Sequence, residues 1–509
     1  AGPCPSTWEI YSLRMRASRL PDDGDNRQCT VRWLPTLVVG ASILAYVVFF
    51  SWFSILKHDR FLTGGLDLGN FDQAVWNTLH GRILRLTNLP GLVSRLSLHF
   101  EPILILLSPI YLLWSDVRAL LLIQTMALAA GAIPVYLLAR TRLGHWSAAG
   151  FVVVYLLYPA LEAANMFDFH ANALAVPFLA AAFYCAELRW YRALAVWATL
   201  GMACREDIVL MFSMMGIYIV WVHQERKGWW LLSVSLAVFG LTTLVIMPVS
   251  TKEGLLRHAA RYTFLRDAVH NAVQTSPCGI AAVVSDVLSE PDRIRYMTHL
   301  TAPVLVTPLL SPGSLLPATP IIGLNLLSSW NCTYALDRFH YSAPIVPFIA
   351  FSAILGVERL VTWLMKQRSI PRTFTLAVLM AGILTTSVTY HRRFGHTPIS
   401  KRFAVPKAEK RFAAASEMFG LIPSDARVSA QGSLNPHLTQ RETIYLFPNL
   451  EHPTAGPADY VALDQMGNIF PAKPEQYDAL VTDMMSSGDY RILFDEDGYL
   501  LLKRRKATP

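Results

Sequence analysis

Acids, amides and aromatic residues follow the first long apolar run of this chain, in the stretch GLDLGNFDQAVWNTLHGR that begins at Gly65. Asp67 and Asp72 are its two carboxylates. A carboxylate held beside a membrane is suited to general-base catalysis or to binding a cationic group. Asp67 precedes a predicted amphipathic helix over 69–80, where it could accept backbone N–H groups of the first turn. An ordinary surface helix with an Asp cap is the competing interpretation.

Four further segments place charged and polar side chains at the ends of apolar runs. Arginine in such a place can bind a phosphate through two N–H groups, and carboxylates and imidazoles can exchange protons. Taken singly, each segment is also compatible with ordinary polar groups at a membrane surface. Taken together, such groups usually mark a water-filled site, because a charge inside a bilayer is costly. The segments are LHFEPILILL with His99 and Glu101, MFDFHANALAVP with Asp168 and His170, GMACREDIVLMF with Arg205, Glu206 and Asp207, and ALDRFHYSAPIVPF with Arg338, His340 and Tyr341.

The composition assigns these residues to a membrane protein. The chain has 509 residues, of which 53% are hydrophobic and only 16% are charged. A soluble domain would carry about 25% charged residues. Six cysteines are scattered without a CxxC pair, which argues against a zinc site or a disulfide framework. The net charge of +8 comes mainly from arginines that flank apolar runs, so it indicates topology or lipid headgroups and no nucleic-acid partner.

The apolar runs and the charges between them predict the topology. Lys and Arg in the short loops near 140–142, 189–192, 226–227 and 366–372 predict that these loops and the N-terminus face the cytoplasm. All four loops and the N-terminus can lie on the same side only if one run between residues 56 and 140 does not cross the membrane. We expect this to be the run at 98–114, as a re-entrant or surface-lying helix. We therefore predict about 11 spans, with the C-terminus outside. The runs lie near 33–56, 98–114, 117–139, 146–164, 171–188, 191–204, 207–222, 229–249, 298–311, 315–328, 341–364 and 373–389.

The predicted fold is mainly α, a polytopic transmembrane helical bundle with a small C-terminal α/β domain. Short strand patterns, one helix and a hairpin turning at Asp497-Gly498 follow the last apolar run. We expect a cytoplasmic, disordered segment over 1–32, a membrane domain over 33–390 with outer loops 57–116 and 251–297, and an extracytoplasmic α/β domain over 391–509.

The order of the motifs resembles the bacterial and archaeal membrane proteins grouped as domain of unknown function 2079. The resemblance extends from residue 35 to 500 through DLGNFDQAVWNTLHGR, HFEPIL, DFHANALAVP, REDI, RFHYSAPIVPF, YLFPN and ADYVALD. The usual family pattern has proline after DFH, where this chain has Ala171. The family is similar to the GT-C membrane glycosyltransferases, which place an acidic residue in the first outer loop and use polyprenyl-phosphate-linked sugars.

This resemblance implies a function and roles for the residues. Asp67 matches the loop acid and would be the catalytic base, and Glu101 in HFEP matches a second carboxylate. The chain would transfer a sugar, with inversion, from a polyprenyl-phosphate donor to an unidentified acceptor on the outer face of a prokaryotic plasma membrane. Arg338 and Arg205 would hold the donor phosphate. The substrate would also be contacted by Asp72, His340 and Tyr341. The pocket would be completed by four side chains whose oxygen and imidazole groups could instead hold a divalent metal: His99, Asp168, His170 and Glu206.

Two other classes of protein compete with the glycosyltransferase. A transporter or lipid flippase also uses broken helices and intramembrane acids, but it needs a path to both faces, whereas the acids here are predicted on one. A membrane scaffold without catalysis would need neither Arg205 nor Glu206 within a long apolar stretch.

Overall fold

The computed structural model describes residues 27–250, 261–262, 285 and 289–505, with side chains from residue 33 onward. Most of the predicted segment 1–32 and of the predicted outer loop 251–297 lies outside the described residues. The helices are α1 (Arg27–Asp59), α2 (Asn70–Leu79), α3 (Ile103–Leu107), α4 (Ile110–Leu113), α5 (Arg118–Ala130), α6 (Ala132–Leu143), α7 (His145–Leu156), α8 (Pro159–Met166), α9 (Ala171–Glu187), α10 (Tyr191–Met202), α11 (Glu206–His223), α12 (Lys227–Leu241), α13 (Met247–Ser250), α14 (Pro291–Thr301), α15 (Thr319–Leu327), α16 (Val346–Arg368), α17 (Arg372–Phe394), α18 (Phe412–Gly420) and α19 (Pro474–Ser486).

Long apolar helices build the membrane part of the molecule. In the described part of the chain, six segments are long and apolar enough to cross a membrane, and the pair α7–α8, bent by 44°, would make seven. The predicted total of about 11 spans is therefore not confirmed. The six segments are Trp33–Asp59, Arg118–Leu143, Glu206–His223, Lys227–Ser250, His340–Arg368 and Arg372–Phe394.

Four of the 11 predicted spans form helices that are short or broken, and one of these, the run at 191–204, is the 12-residue helix α10. Three apolar runs form helices that are too short to meet the same criterion: Ile103–Leu113, Ala171–Glu187 and Pro312–Leu327. The run at 298–311 breaks into 3-10 turns at Pro303 and Pro308, since proline lacks the N–H that continues a helix. The first of these short helices is the run at 98–114, and its length of about 16 Å, at 1.5 Å per residue, agrees with the re-entrant or surface-lying interpretation.

Charged residues join the helices at the end of the bundle that carries the loops predicted to be cytoplasmic. The buried Glu187 of α9 accepts hydrogen bonds from Tyr218 at 2.5 Å and from Arg142 at 3.0 Å. Arg142 also contacts Glu358 of α16 at 3.5 Å. The polar residues predicted for the outer face meet at the opposite end, as described below. The two groups are therefore segregated as expected, and which end faces the cell exterior stays a prediction.

Cysteine labelling tests this orientation. Ser486→Cys, at the exposed end of α19, should react with an impermeant thiol reagent added outside the cell, because the C-terminal domain is predicted to lie there. Arg226→Cys, in the exposed loop between α11 and α12, should react only after the membrane is permeabilised. Both variants are made in a chain whose native cysteines are replaced. Labelling of Arg226→Cys from outside would overturn the orientation.

The C-terminal domain contains the strands and the helix that the sequence predicts. Its five-stranded sheet has the order β2-β1-β5-β7-β6, with β1 parallel to β2 and β5, and β7 antiparallel to β5 and β6. The predicted hairpin turns at Asp497-Gly498, where both residues have positive φ. The strands are β1 (Val428–Ala430), β2 (Ile444–Leu446), β3 (Glu451–His452), β4 (Gly456–Pro457), β5 (Tyr460–Asp464), β6 (Tyr490–Glu496) and β7 (Tyr499–Arg504).

The C-terminal domain packs on α2 and buries its polar face. Gln73 donates a hydrogen bond to the backbone oxygen of Glu442 at 3.2 Å. The fully buried carboxylate of Asp72 accepts hydrogen bonds from Tyr111, from Thr439 at 2.5 Å and from Gln440 at 3.2 Å. The predicted helix over 69–80 is therefore present, but its polar face contacts protein instead of water. Asp72 lies in this contact between domains.

The buried carboxyl of Asp72 should make the stability of the protein depend on pH. Burial raises the pKa of Asp72 to about 6, compared with about 3.9 in an unfolded chain. The folded state binds the proton more tightly, so the free energy of unfolding should fall as the pH rises from about 4 through about 6. A difference of two pKa units corresponds to about 3 kcal/mol.

The measurement compares thermal unfolding of the wild type with that of Asp72→Asn, which cannot titrate. The wild-type midpoint should fall relative to the variant between pH 4 and 6 and then stay level. Glu442→Gln, at an exposed acid of the same contact, should keep the wild-type dependence. A constant difference between wild type and Asp72→Asn over this range would contradict the assignment.

Candidate functional site

Asp67 lies in a single π-helical turn, Gly65–Gly69, that leads into α2. We call this the Asp67 turn. The predicted cap is absent, since no side chain caps either the turn or α2. The Asp67 carboxylate instead contacts Nε2 of His170 at 3.2 Å, and its side chain keeps 37% of its surface exposed. A carboxylate that is held by one partner and still open to solvent is able to meet a ligand.

Basic neighbours set the charge of Asp67. Burial by itself raises the pKa of this carboxyl, but His170, Arg95 and Arg261 lower it by more, so the pKa lies below its usual range. Asp67 is therefore ionised at neutral pH, in the form that can accept a proton. The sequence did not single out Arg95 or Arg261. Arg95 precedes the acid of HFEP by six residues, and Arg261 belongs to the basic outer loop, but neither pattern indicates proximity to Asp67.

His170 is oriented by three contacts. Its backbone N–H donates to Gln124 at 2.8 Å, and its Nδ1 contacts the backbone oxygen of Asp168 at 2.9 Å. Its ring stacks on the ring of His340, with centroids 3.6 Å apart and planes 19° apart. Nε2 is thereby directed at Asp67. The structure thus brings together three residues that the sequence had placed in separate motifs.

Asp168 ties the DFH segment to the Asp67 turn. Its carboxylate accepts a hydrogen bond from the backbone N–H of Gly64 at 2.7 Å. Burial raises the pKa of Asp168 to about 6, although Lys57 opposes this effect. The side chain is only 9% exposed. Asp168 therefore contacts the backbone just before Asp67 and is well placed to orient that turn.

The HFEP motif contributes two ion pairs beside this centre. Glu101 is 2% exposed and accepts hydrogen bonds from Arg95 at 2.6 and 3.4 Å. His99 contacts Glu206 at 2.6 Å, and Glu206 also accepts the backbone N–H of Phe100 at 2.9 Å. HFEP is thereby attached to the start of α11. Glu101 pairs with a cation inside the protein, whereas Asp67 is the more exposed of the two predicted catalytic acids.

A larger cavity of about 510 Å³ lies on one side of the paired histidine rings. The ring of Phe167 lines this cavity and contacts both histidine rings. Its centroid lies 5.3 Å from that of His170 and 5.2 Å from that of His340. Arg338 is exposed and forms no ion pair with another described residue. The cavity is both aromatic and basic, with a lining that includes Phe53, Lys57, Phe167, Asp337, Arg338, His396, Arg402 and Phe403.

A smaller cavity of about 30 Å³ contains the other predicted arginine. Arg205 pairs with Asp207 at 3.1 Å, and both line this cavity together with Arg261 and Tyr341. The ring of Tyr341 lies 4.3 Å from that of His340. Arg205 and Arg338, which the sequence had assigned to one phosphate, therefore line different cavities.

The described residues contain no group of three or more His, Cys, Asp or Glu side chains arranged to hold a metal ion. The acids at this end of the bundle instead contact arginines, imidazoles, hydroxyls, an amide or backbone N–H groups. Most of the donors are thus used within the protein, and the geometry gives no support to the metal alternative raised by the sequence.

The fold is similar to that of known membrane glycosyltransferases. ArnT from Cupriavidus metallidurans, solved bound to undecaprenyl phosphate, matches with a TM-score of 0.51 and 14% identity, over 93% of this chain and 98% of that one. The same protein in its apo state gives 0.47 and 11% over 90% and 98%. The apo oligosaccharyltransferase of Archaeoglobus fulgidus gives 0.44 and 12% over 83% and 69%. The match to ArnT assigns a GT-C-like fold, which identity this low does not extend to an activity.

The sequence itself assigns the family. No curated protein sequence matches the chain. Residues 57–501 match the family model described as Predicted membrane protein (DUF2079), and the chain belongs to that family. The resemblance noted from the motifs is thereby confirmed, and so are the membrane-protein class and the GT-C-like fold.

Proposed function

We propose that the protein transfers a sugar from a polyprenyl-phosphate-linked donor to an acceptor hydroxyl, with Asp67 as the catalytic base. The observation that carries this proposal is the ionised and partly exposed Asp67, which His170 holds. The ring of His170 stacks on that of His340, and this pair lies beside Phe167 of the larger cavity and Tyr341 of the smaller one. The similar fold of ArnT, which was solved bound to undecaprenyl phosphate, supports the class of donor.

The reaction needs little from the protein beyond a base and positive charge. The acceptor oxygen attacks C1 of the sugar, and its proton moves to the Asp67 carboxylate. The bond from C1 to the phosphate oxygen breaks on the opposite side, so the configuration at C1 inverts and polyprenyl phosphate leaves. Cations near the departing phosphate stabilise the charge that develops on it.

The larger cavity suits the donor. Lys57 lies in the last turn of the first span, so this cavity opens near the membrane surface, where a lipid phosphate would be presented. Its aromatic residues offer an apolar wall, and Arg338 offers a guanidinium without an ionic partner among the described residues. The acceptor would reach Asp67 from the exposed side of its carboxylate, whose pKa the nearby Arg261 helps to lower.

Replacing Arg338 tests the phosphate contact. Arg338→Ala should weaken binding of polyprenyl phosphate about tenfold or more, because a hydrogen bond to a charged group contributes about 1.5–3 kcal/mol. Arg338→Lys should bind polyprenyl phosphate more tightly than Arg338→Ala but more weakly than the wild type, since lysine keeps the charge but loses the forked geometry of arginine. Arg295→Ala, at an arginine 64% exposed on α14, is the matched control and should bind as the wild type does. Binding is measured by titration in nanodiscs, and an unchanged dissociation constant for Arg338→Ala would remove the assignment.

A turnover assay separates this proposal from transport. Protein in liposomes receives a labelled polyprenyl-phosphate sugar together with extracted membrane glycans and lipids as acceptors. A glycosyltransferase releases free polyprenyl phosphate and labels an acceptor, whereas a flippase moves the intact donor between leaflets. Movement without release would replace the proposal by the transporter alternative.

A further inference from the structure

The C-terminal domain makes direct contact with the backbone that carries Asp67. The segment after β1, residues 431–437, covers the Asp67 turn, and we call it the Asn435 loop. The N–H of Gly65 donates to the backbone oxygen of Gly432 at 2.8 Å. This hydrogen bond lies two residues from the proposed base. It joins a residue near the start of the membrane domain to a residue that follows that domain in the sequence.

Asn435 and Asn88 reinforce this contact with a pair of buried amides. Asn435 donates to Oδ1 of Asn88 at 2.7 Å, and Asn88 donates to Oδ1 of Asn435 at 3.1 Å. Asn88 also donates to the backbone oxygen of Gly65 at 2.8 Å and to Asn70 at 2.9 Å. Both amides are fully buried. The amide pair therefore bonds to residues on either side of Asp67.

Two glycines of the turn allow this close approach. A Cβ at Gly65 would lie 2.6 Å from Oδ1 of Asn435, and a Cβ at Gly69 would also overlap that atom. Real Cβ atoms do not approach an oxygen so closely, so the absence of side chains here is a requirement of the contact. The turn and the Asn435 loop are thus fitted to each other on both sides of Asp67.

We infer that Asn435 is a positioning residue, through which the C-terminal domain holds the Asp67 turn in its catalytic conformation. This inference rests on the proposed function for its catalytic part, whereas the contact itself can be tested without activity. It gives the C-terminal domain a role in the reaction although none of the residues described in that domain contacts the carboxylate of Asp67.

The first measurement follows hydrogen exchange of the full-length protein in nanodiscs. Asn435→Ala removes the amide pair and should speed exchange of the peptide containing Gly65 about tenfold or more, because the protected N–H opens more often. Asn449→Ala is the matched control, since Asn449 donates one hydrogen bond to the backbone oxygen of Leu446 within the same domain. Exchange at Gly65 that is the same in both variants would overturn the structural part of the inference.

The second measurement follows turnover. Asn435→Ala should lower kcat about tenfold or more, per folded molecule, with an unchanged dissociation constant for polyprenyl phosphate. Asn449→Ala should keep its kcat. Faster exchange at Gly65 with a normal kcat would refute the positioning role. No turnover by the wild type would refute the proposed function and leave the contact to be judged by exchange alone.

A paired substitution tests the contact from the other side. If Asn435→Ala does not fold, its first member, Gly69→Ala, serves alone, and an unchanged kcat in that variant would overturn the inference. The backbone at Gly69 is helical and accepts alanine without strain. Any loss of activity in Gly69→Ala therefore comes mainly from the overlap of the new Cβ with Asn435. This substitution should lower kcat in the wild type but cost much less in the Asn435→Ala chain, where the overlapping amide is gone and the contact with the Thr439 methyl, at 3.2 Å, remains. Additive losses would show that the two residues act independently and would overturn the inference.

Discussion

Asp67→Asn should abolish sugar transfer, with a loss in rate of about 10²–10⁴-fold, as expected when a general base is removed. Asparagine keeps the size of the side chain and can still accept a hydrogen bond from His170, but it cannot take up the proton of the acceptor. Because Asp67 is 37% exposed and makes one ionic contact, the substitution should leave folding nearly intact. Binding of polyprenyl phosphate should be near normal, since the proposed phosphate contact lies in the larger cavity.

The other acids of the same outer loop supply the controls for this experiment. Asp72→Asn should cost less activity, because Asp72 is buried in the contact with the C-terminal domain. Asp116→Asn, at an acid paired with Arg118 at 2.6 Å, should keep wild-type turnover. An active Asp67→Asn beside an inactive Asp72→Asn would reverse the assignment. If both are active, the glycosyltransferase proposal loses its main support.

Glu101→Gln should destabilise the protein by about 3–5 kcal/mol, the usual cost of removing one partner of a buried ion pair. Arg95 would lose the carboxylate that it contacts at 2.6 and 3.4 Å while its guanidinium stays 3.9 Å from the ring of Phe71. A buried guanidinium without its carboxylate is poorly compensated by an aromatic ring alone. The effect is measured as the unfolding midpoint in detergent and as the yield of monodisperse protein.

The same variant decides between two roles for Glu101. Glu442→Gln is the matched control, because that acid is 53% exposed and its ion pair with Arg85 should contribute about 1 kcal/mol or less. A loss of stability specific to Glu101→Gln would assign this residue to maintaining HFEP in place. A stable but inactive Glu101→Gln would instead favour the second catalytic carboxylate that the family resemblance implies.

The order of polar and apolar segments was enough to predict much of the architecture. Apolar runs identified the long helices, and the alternating pattern after residue 425 identified the strands and the hairpin at Asp497-Gly498. The polar motifs that the sequence singled out also meet in space, as the contacts of His170 with Asp67 and of His99 with Glu206 show. These successes share a cause, since each depends on patterns within a few residues or on the cost of placing charge in a membrane.

Pairings between distant residues could not be predicted in this way. Nothing near Asp72 in the sequence indicates that Thr439 and Gln440 would cover it, so the exposed polar face expected for α2 is in fact buried. Arg338 and Arg205 were both predicted to hold the donor phosphate, yet Arg338 lines the larger cavity and Arg205 pairs with Asp207 in the smaller one. The span count differs because hydropathy does not fix the length of a helix. Several apolar runs form helices too short to span, and prolines break the run at 298–311.

The contact between the Asp67 turn and the C-terminal domain also has a consequence for biosynthesis. The hydrogen bond from Thr439 to Asp72 spans 367 residues, so the two sides leave the ribosome far apart in time. The early helices insert into the membrane while the residues that complete the turn are still unsynthesised. A nascent chain halted after α17 would already be a membrane protein, but its turn would lack the bond between Gly65 and Gly432. Under the proposed function, activity would begin only after the C-terminal domain has folded, which would keep partly made chains from consuming donor.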